Sequence, residues 1–114
     1  MNELKVSELI ETKKLLDSLS GKIDIDSSGS FIEVGKNYFI RTVTMAHVGK
    51  VTGINSDELL LSDASWIADT GRFHDALKSG LFDEIEPFVN DVIVNRNSII
   101  DITVFNHRLP TEQK

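Results

Sequence analysis

One stretch near the middle of the chain carries the residues best suited to chemistry. Residues 65–80 read SWIADTGRFHDALKSG and hold the only tryptophan, Trp66, followed by Asp69-Thr70-Gly71 and Arg72. A loop of this composition presents a carboxylate, and two such loops that meet allow paired carboxylates to share a proton and activate water. The chain has one copy of the tripeptide, so this chemistry would need two chains.

The tripeptide resembles the active-site signature of aspartic proteases, and this resemblance implies a catalytic Asp69. In that family Ala or Ser follows the signature, and a later apolar-apolar-Gly segment supports the loop. Here Arg72 follows, and the segment SIIDI has Asp101 at the place of that glycine. A cation at position 72 favours ionised Asp69 and opposes proton sharing. We therefore predict that the chain is not an enzyme, with an aspartic-protease-like enzyme as a remote alternative.

The same residues also suit the start of a short helix. Asp69 and Thr70 are residue types that favour the N-cap position, and Gly80 is a typical C-terminal stop. The spacing points Phe73, Ala76 and Leu77 inward. In this interpretation the Asp-Thr-Gly sequence is structural.

A third interpretation is a binding site for a compact anion at that helix start. Backbone N–H groups at residues 70–72 and the Arg72 guanidinium attract negative charge, and Trp66 offers a face on which a nucleobase can stack. Arg41, Thr42 and Thr44 come from a β-rich segment earlier in the chain, and they would join this site if that segment lies nearby. The predicted ligand-binding residues are Arg41, Thr42, Thr44, Trp66, Asp69, Thr70, Gly71 and Arg72.

The amino-acid composition argues against disulfides and metal sites. The chain has 114 residues and no cysteine, so it fits one domain, 1–114, without disulfides or thiolate ligands. His47, His74 and His107 are scattered and show no metal-ligand spacing. We predict no metal and no cofactor.

The charge distribution is strongly uneven. The net charge is −6, and residues 57–91 alone hold nine acidic and two basic residues, a local charge of −7. Such a chain repels a polyanion, so broad non-specific nucleic-acid binding is disfavoured. The start is charged throughout and no apolar run reaches the length of a membrane span, which predicts a cytoplasmic protein with no membrane partner.

The hydrophobic pattern predicts an α+β, mainly β fold in which a helix precedes a small barrel. The pattern of residues 2–20 has one broad apolar face, formed by Val6, Leu9, Ile10, Leu15, Leu16 and Leu19. Short strands bent at Gly49 and Gly53 fill 31–105, including two strands joined by a tight NRNS turn. We expect five strands, a helical insertion over 65–91 and a tail over 106–114, with Pro110 ending the ordered part.

The order of elements resembles the Sm-like fold of Sm and Hfq-type proteins. The segments that carry the resemblance are GKVTGINSDELLLSDA, residues 49–64, and VNRNSIIDI, residues 94–102. The resemblance implies a five-stranded Sm-like or SH3-like barrel that closes rings by pairing exposed strand edges. Glu58 stands where that family has an RNA-contacting Asn, so the resemblance does not extend to RNA binding.

A second resemblance concerns origin. YFIRTVT, DASWIADTGRF and NHRLP are similar to segments of small bacteriophage and prophage proteins. Together with the anion site, this leads us to expect a homo-oligomeric phage protein that binds a compact anionic ligand such as a nucleotide, including sequestration of a host defence signalling nucleotide. The alternative is a protein-interaction or virion component, or an acidic nucleic-acid mimic that uses residues 57–91 as its contact surface.

Overall fold

The computed structural model of the protein describes residues 30–114. Contacts divide the chain into Met1–Ile32 and Glu33–Lys114, and the account below concerns the second unit. The helix predicted over 2–20 lies outside the described residues. The single domain over 1–114 stays a prediction.

Strands dominate the described part of the chain. In order, its elements are β1 Asn37–Thr42, β2 Ala46–Ile54, β3 Glu58–Asp69, α1 Phe73–Ser79, β4 Glu84–Pro87, β5 Val92–Asn95, a 3-10 turn Arg96–Ser98, and β6 Ile99–Val104. All strand pairs are antiparallel. The mainly β prediction is confirmed, with six strands within residues 30–114 where five were expected.

The long strand β3 organises the sheet. Strands run in the order β4-β3-β2-β1-β6, and β5 also pairs with β3. The first part of β3, up to Leu61, pairs with β5, whereas the second part, from Ser65 onwards, pairs with β4. Six strands form one sheet that is not closed.

The two strands and the tight NRNS turn predicted between them are confirmed as β5, the 3-10 turn and β6, but the two strands do not pair with each other. β5 pairs with β3 and β6 pairs with β1, with the 3-10 turn between them. Asn95 shapes this turn, because its side-chain oxygen accepts from the Asn97 N–H while its backbone carbonyl accepts from the Ser98 hydroxyl. These bonds wind the chain into a helical turn and send β6 away from β5.

The predicted bends at the two glycines of β2 are confirmed. The β2–β3 register shifts between Val48 and Lys50 and again between Val51 and Gly53. Opposite the first shift, Asp63 adopts a φ of 49°. A Cβ on Gly49 would stand 3.0 Å from the Ala64 side chain, so a larger residue here would push the two strands apart by a few tenths of an ångström.

The sheet buries apolar residues on both faces. Because side chains alternate along a strand, Phe39, Val48 and Ile67 share one face, which we call the helix face. There they form a core with Ala76 of α1, Phe82, Ile85 and Phe105. On the opposite face, Tyr38, Ile40 and His47 are buried as well.

The prediction of one helical insertion over 65–91 is wrong in its extent. Residues 65–69 continue β3, α1 spans only Phe73–Ser79, and β4 pairs with β3. The alternating pattern of Glu84 to Pro87 buries Ile85 against the helix-face core, which is what draws this segment into the sheet.

The predicted end of order at Pro110 is also wrong. Leu109 packs against the core, and the backbone N–H and carbonyl of Lys114 both bond to Ile85 at 3.0 Å. The His107 ring bonds through Nε2 to the Leu77 carbonyl at 2.9 Å. Residues 106–114 are therefore fastened to α1 and to the outer edge of β4.

Candidate interaction surface

Asp69-Thr70-Gly71 forms a turn that lies before the helix, so the predicted helix cap is wrong. Asp69 is the last residue of β3, and its Oδ1 accepts from the Gly71 N–H at 2.8 Å. Gly71 has a φ of 72°, which turns the chain before α1 begins. The N-cap residue is Arg72, and no side chain caps the helix.

Carboxylates crowd the backbone at which an anion was predicted to bind. The Asp69 side chain already occupies the Gly71 N–H. A Cβ added to Gly71 would stand 2.9 Å from the Asp83 carboxylate, and the Asp83 N–H bonds to the Asp69 carbonyl. The Thr70 hydroxyl is used locally and donates to the Gly71 carbonyl. A phosphate here would meet two negative side chains and find the Gly71 N–H occupied.

Arg41 is engaged inside the protein. It lies opposite Asp101 on the neighbouring strand, and its Nε and NH2 groups donate to the two carboxylate oxygens. This pairing raises the pKa of Arg41 and lowers that of Asp101 through their hydrogen bonds. The guanidinium also lies over the Phe73 ring, 5.1 Å from its centroid. The charge of Arg41 is thus balanced on the helix face.

The two threonines predicted to join Arg41 lie in the turn between β1 and β2. The Thr42 hydroxyl bonds to both the N–H and the carbonyl of Met45, and Thr44 is exposed. These bonds shape the turn itself.

Arg41 and Trp66 lie on opposite faces of the sheet. In the strand register, Arg41 aligns with Ala46 and then Ile67, whereas Trp66 aligns with His47. Neighbouring positions across strands point to the same side, so Trp66 shares its face with His47 and Arg41 does not. The eight predicted ligand-binding residues are therefore not gathered at one place.

The face that carries Trp66 holds a different group of side chains. His47 lies directly across from Trp66, and the Phe88 ring stacks on the His47 ring with centroids 5.8 Å apart. Trp66 is 39% exposed and Phe88 is 42% exposed, whereas His47 between them is only 7% exposed. We call these three residues the aromatic patch.

His47 makes the centre of the aromatic patch electrically neutral. Its Nδ1 atom is buried without a hydrogen-bond partner. Burial lowers the pKa of His47, because a charged imidazolium loses its hydration there. The patch consequently has an uncharged centre at neutral pH.

One acidic side chain, Glu86, lies beside the aromatic patch, within a segment rich in acidic residues. Glu86 lies opposite Trp66 on β4 and is half-buried. The other eight acidic residues of 57–91 are exposed. Neither of the two ion pairs found within residues 30–114 involves any of the nine. Their charge is not neutralised by a basic side chain of that part of the protein.

Sequence reasoning identified Trp66 but missed Phe88 and His47. Phe88 follows a short EIEP segment that falls within the predicted helical insertion over 65–91, and its place opposite Ala64 depends on the β3–β4 pairing. The alternation of Glu84, Ile85 and Glu86 was the available signal, since it is typical of a half-buried strand.

Comparison with protein-family models, with curated proteins and with solved structures found no match to the chain. Within residues 30–114, no helix is long and apolar enough to cross a membrane. In the same range, no three His, Asp or Glu side chains gather closely enough to hold a metal ion.

Proposed function

We propose that this chain is a non-catalytic interaction module and that the aromatic patch is its contact surface for another protein. The observation that carries the proposal is the pair of exposed rings, Trp66 and Phe88, set around the buried His47. Large aromatic side chains held rigidly at a surface are the residues that most often dominate binding energy.

The charge of the surroundings defines the kind of partner. An uncharged aromatic centre next to Glu86, which forms no ion pair within residues 30–114, favours a surface that offers apolar side chains together with Lys or Arg. Such cations can pair with Glu86 or lie over the Trp66 ring. We therefore propose a protein partner with a basic, partly apolar contact segment.

The test is affinity capture from the native host with the full chain as bait. Wild type should retain a specific partner that salt releases, and Trp66→Ala and Phe88→Ala should each lose it. The matched control is Phe73→Ala, because Phe73 is 41% exposed but lies outside the patch. Equal capture by all four proteins, or equal loss in Phe73→Ala, would contradict the proposal.

A second proposal concerns assembly, and it rests on two strand edges. β5 pairs with β3 and β6 with β1, while the outer edges of both strands have no partner strand within residues 30–114. Ile93 on β5 and Ile100 on β6 are exposed. We propose that the sheet is a small Sm-like barrel and that these edges pair between copies of the chain.

Native mass spectrometry tests the assembly. We expect a closed oligomer for wild type and a shift towards monomer for Ile100→Lys, because a charge at an edge opposes strand addition. The same spectra show whether a nucleotide is retained.

For nucleotide binding, the remaining support is Arg72, which is exposed and makes no ion pair within residues 30–114. Phage origin, an anti-defence role and cytoplasmic location stay predictions.

A further inference from the structure

The end of the chain forms an arch over the edge of the sheet. His107 fixes one end through its bond to the Leu77 carbonyl, and Lys114 fixes the other through its two backbone bonds to Ile85. Residues 108–113, which we call the C-terminal arch, span the distance between these anchors. Gln113 adds a bond from its side-chain amide to Glu86 at 3.0 Å.

A cavity of about 400 Å³ lies between the C-terminal arch and the segment that follows α1. Its apolar walls include Phe82 and Ile85, which belong to the helix-face core, and Leu109 from the arch. Its volume falls within the range of small-molecule sites, roughly 300–1,000 Å³. The cavity thus has apolar walls formed partly by core residues, and Arg108, Glu112 and Lys114 add charged groups to its lining.

Two features of the lining are not explained by folding. Leu81 is exposed, so it gains little from burial in the unliganded protein. Arg108 is also exposed and makes no ion pair with any residue of 30–114. This guanidinium borders the apolar walls of the cavity, and the lining holds one further cation, Lys114, and one acid, Glu112.

We infer that this cavity binds a small amphiphilic carboxylate, with the head group on Arg108 and a short hydrocarbon chain against Leu81, Phe82 and Leu109. Arg binds carboxylates through two parallel hydrogen bonds, which suits it to this head group. The hydrocarbon chain covers Leu81 and the walls formed by the core residues. The site is separate from the aromatic patch and does not depend on the function proposed for that patch.

A titration of the ¹⁵N-labelled full chain with three probes tests the inference. Octanoate carries both charge and hydrocarbon, acetate only charge, and octan-1-ol only hydrocarbon. Octanoate should give saturable shifts at the amides of Leu81, Phe82 and the C-terminal arch, and each CH₂ added from butyrate to octanoate should tighten binding about fourfold. Acetate and octanol should bind more weakly than octanoate.

Variants at exposed positions complete the test without threatening the fold. Arg108→Gln should weaken octanoate binding about tenfold, because a charge-assisted contact is lost. Leu81→Asp should weaken it at least as much, since it removes apolar contact and repels the head group. The matched control, Lys50→Gln, removes an exposed cation that does not line the cavity.

The outcomes separate clearly. Loss in both cavity variants with an unchanged control supports the site. Absence of saturable shifts with octanoate, equal binding of octanol and octanoate, or unchanged affinity in Arg108→Gln would each overturn it. Trp66→Ala should bind octanoate as wild type does, so failure of this inference leaves the aromatic patch unaffected, and the reverse also holds.

Discussion

Two phenylalanines of nearly equal exposure lie in chemically different regions. Phe73 on the helix face is 41% exposed, and Phe88 in the aromatic patch is 42% exposed. Phe73 lies beneath the Arg41 guanidinium, whose charge is balanced by Asp101. Phe88 stacks on His47, which has a buried nitrogen without a partner. Equal exposure therefore does not mean an equal environment, because one ring contacts a balanced ion pair and the other a buried nitrogen without a partner.

The largest expected effect on stability is the difference between truncating a buried aromatic side chain and truncating an exposed one. Phe82→Ala should lower the free energy of unfolding by about 3–5 kcal/mol, because Phe82 is buried and stacks on both Phe39 and Phe105. Phe88→Ala should cost no more than about 1 kcal/mol. Urea unfolding of both variants measures the difference. Comparable losses would place Phe88 among the core residues and remove the contrast between the two regions.

The end of α1 gives the next largest effect. Gly80 has a φ of 74°, and a Cβ there would stand 2.5 Å from the His107 ring. Gly80→Ala should therefore destabilise the protein by roughly 2–4 kcal/mol and release the C-terminal arch, since strain and overlap add.

Gly35→Ala is the matched control for Gly80→Ala. Gly35 also has a positive φ, 95°, but no atom lies within 4 Å of its added Cβ. It should cost only the backbone strain, about 1 kcal/mol. Equal melting temperatures for the two variants would show that the contact with His107 is dispensable.

The aromatic patch predicts a dependence of stability on pH. Burial lowers the pKa of His47 in the folded protein, whereas in the unfolded chain it stays near ~6.5. Below that pH the unfolded state binds a proton that the folded state does not, so the free energy of unfolding should fall as the pH decreases from ~6.5 to the folded pKa. Neutral His47 makes its full contribution to the free energy of unfolding above pH ~7, and this contribution is lost on acidification.

Urea unfolding at several pH values, for wild type and His47→Phe, measures this contribution. The slope from one histidine is at most about 1.4 kcal/mol per pH unit. The difference between the two proteins isolates His47 from the other titrating groups. Identical pH profiles would mean that His47 takes up its proton equally well in the folded state.

The smallest expected effect compares two serines. The Ser65 hydroxyl is fully buried without a partner, whereas the Ser79 hydroxyl bonds to the Asp75 carbonyl and the Leu81 N–H. Ser65→Ala should leave stability unchanged or raise it by up to about 1 kcal/mol, and Ser79→Ala should lower it by about 0.5–1 kcal/mol. Thermal melts of both proteins give the sign, and a loss in Ser65→Ala would indicate a hydrogen bond at that hydroxyl.

Local sequence patterns predicted many of the helices and strands but not which strands pair with each other. The β-rich character of 31–105 and the short helix that ends at Gly80 follow from composition and spacing. The pairing of β5 with β3 does not follow, because it depends on the 3-10 turn at Arg96–Ser98. The NRNS turn itself was predicted, but a turn sequence does not specify which strands the chain pairs with on either side of it.

The candidate site shows the same division. Trp66 stands out as the only tryptophan, and Arg41 and Arg72 stand out as cations in an acidic chain. Their positions relative to one another depend on strand register, and a shift of one residue moves a side chain to the other face. That is why a plausible set of ligand-binding residues is divided between two sides of a sheet.

The sequence by itself determined the β-rich composition, the bends at Gly49 and Gly53, and the concentration of acidic residues over 57–91. These depend on the conformational preference or charge of each residue and its immediate neighbours. Only the tertiary structure decided that His47 and Phe88 join Trp66, that Asp101 engages Arg41, and that the end of the chain arches over a cavity. Such contacts join residues far apart in sequence, and they form through long-range strand pairing and core packing that local preference does not encode.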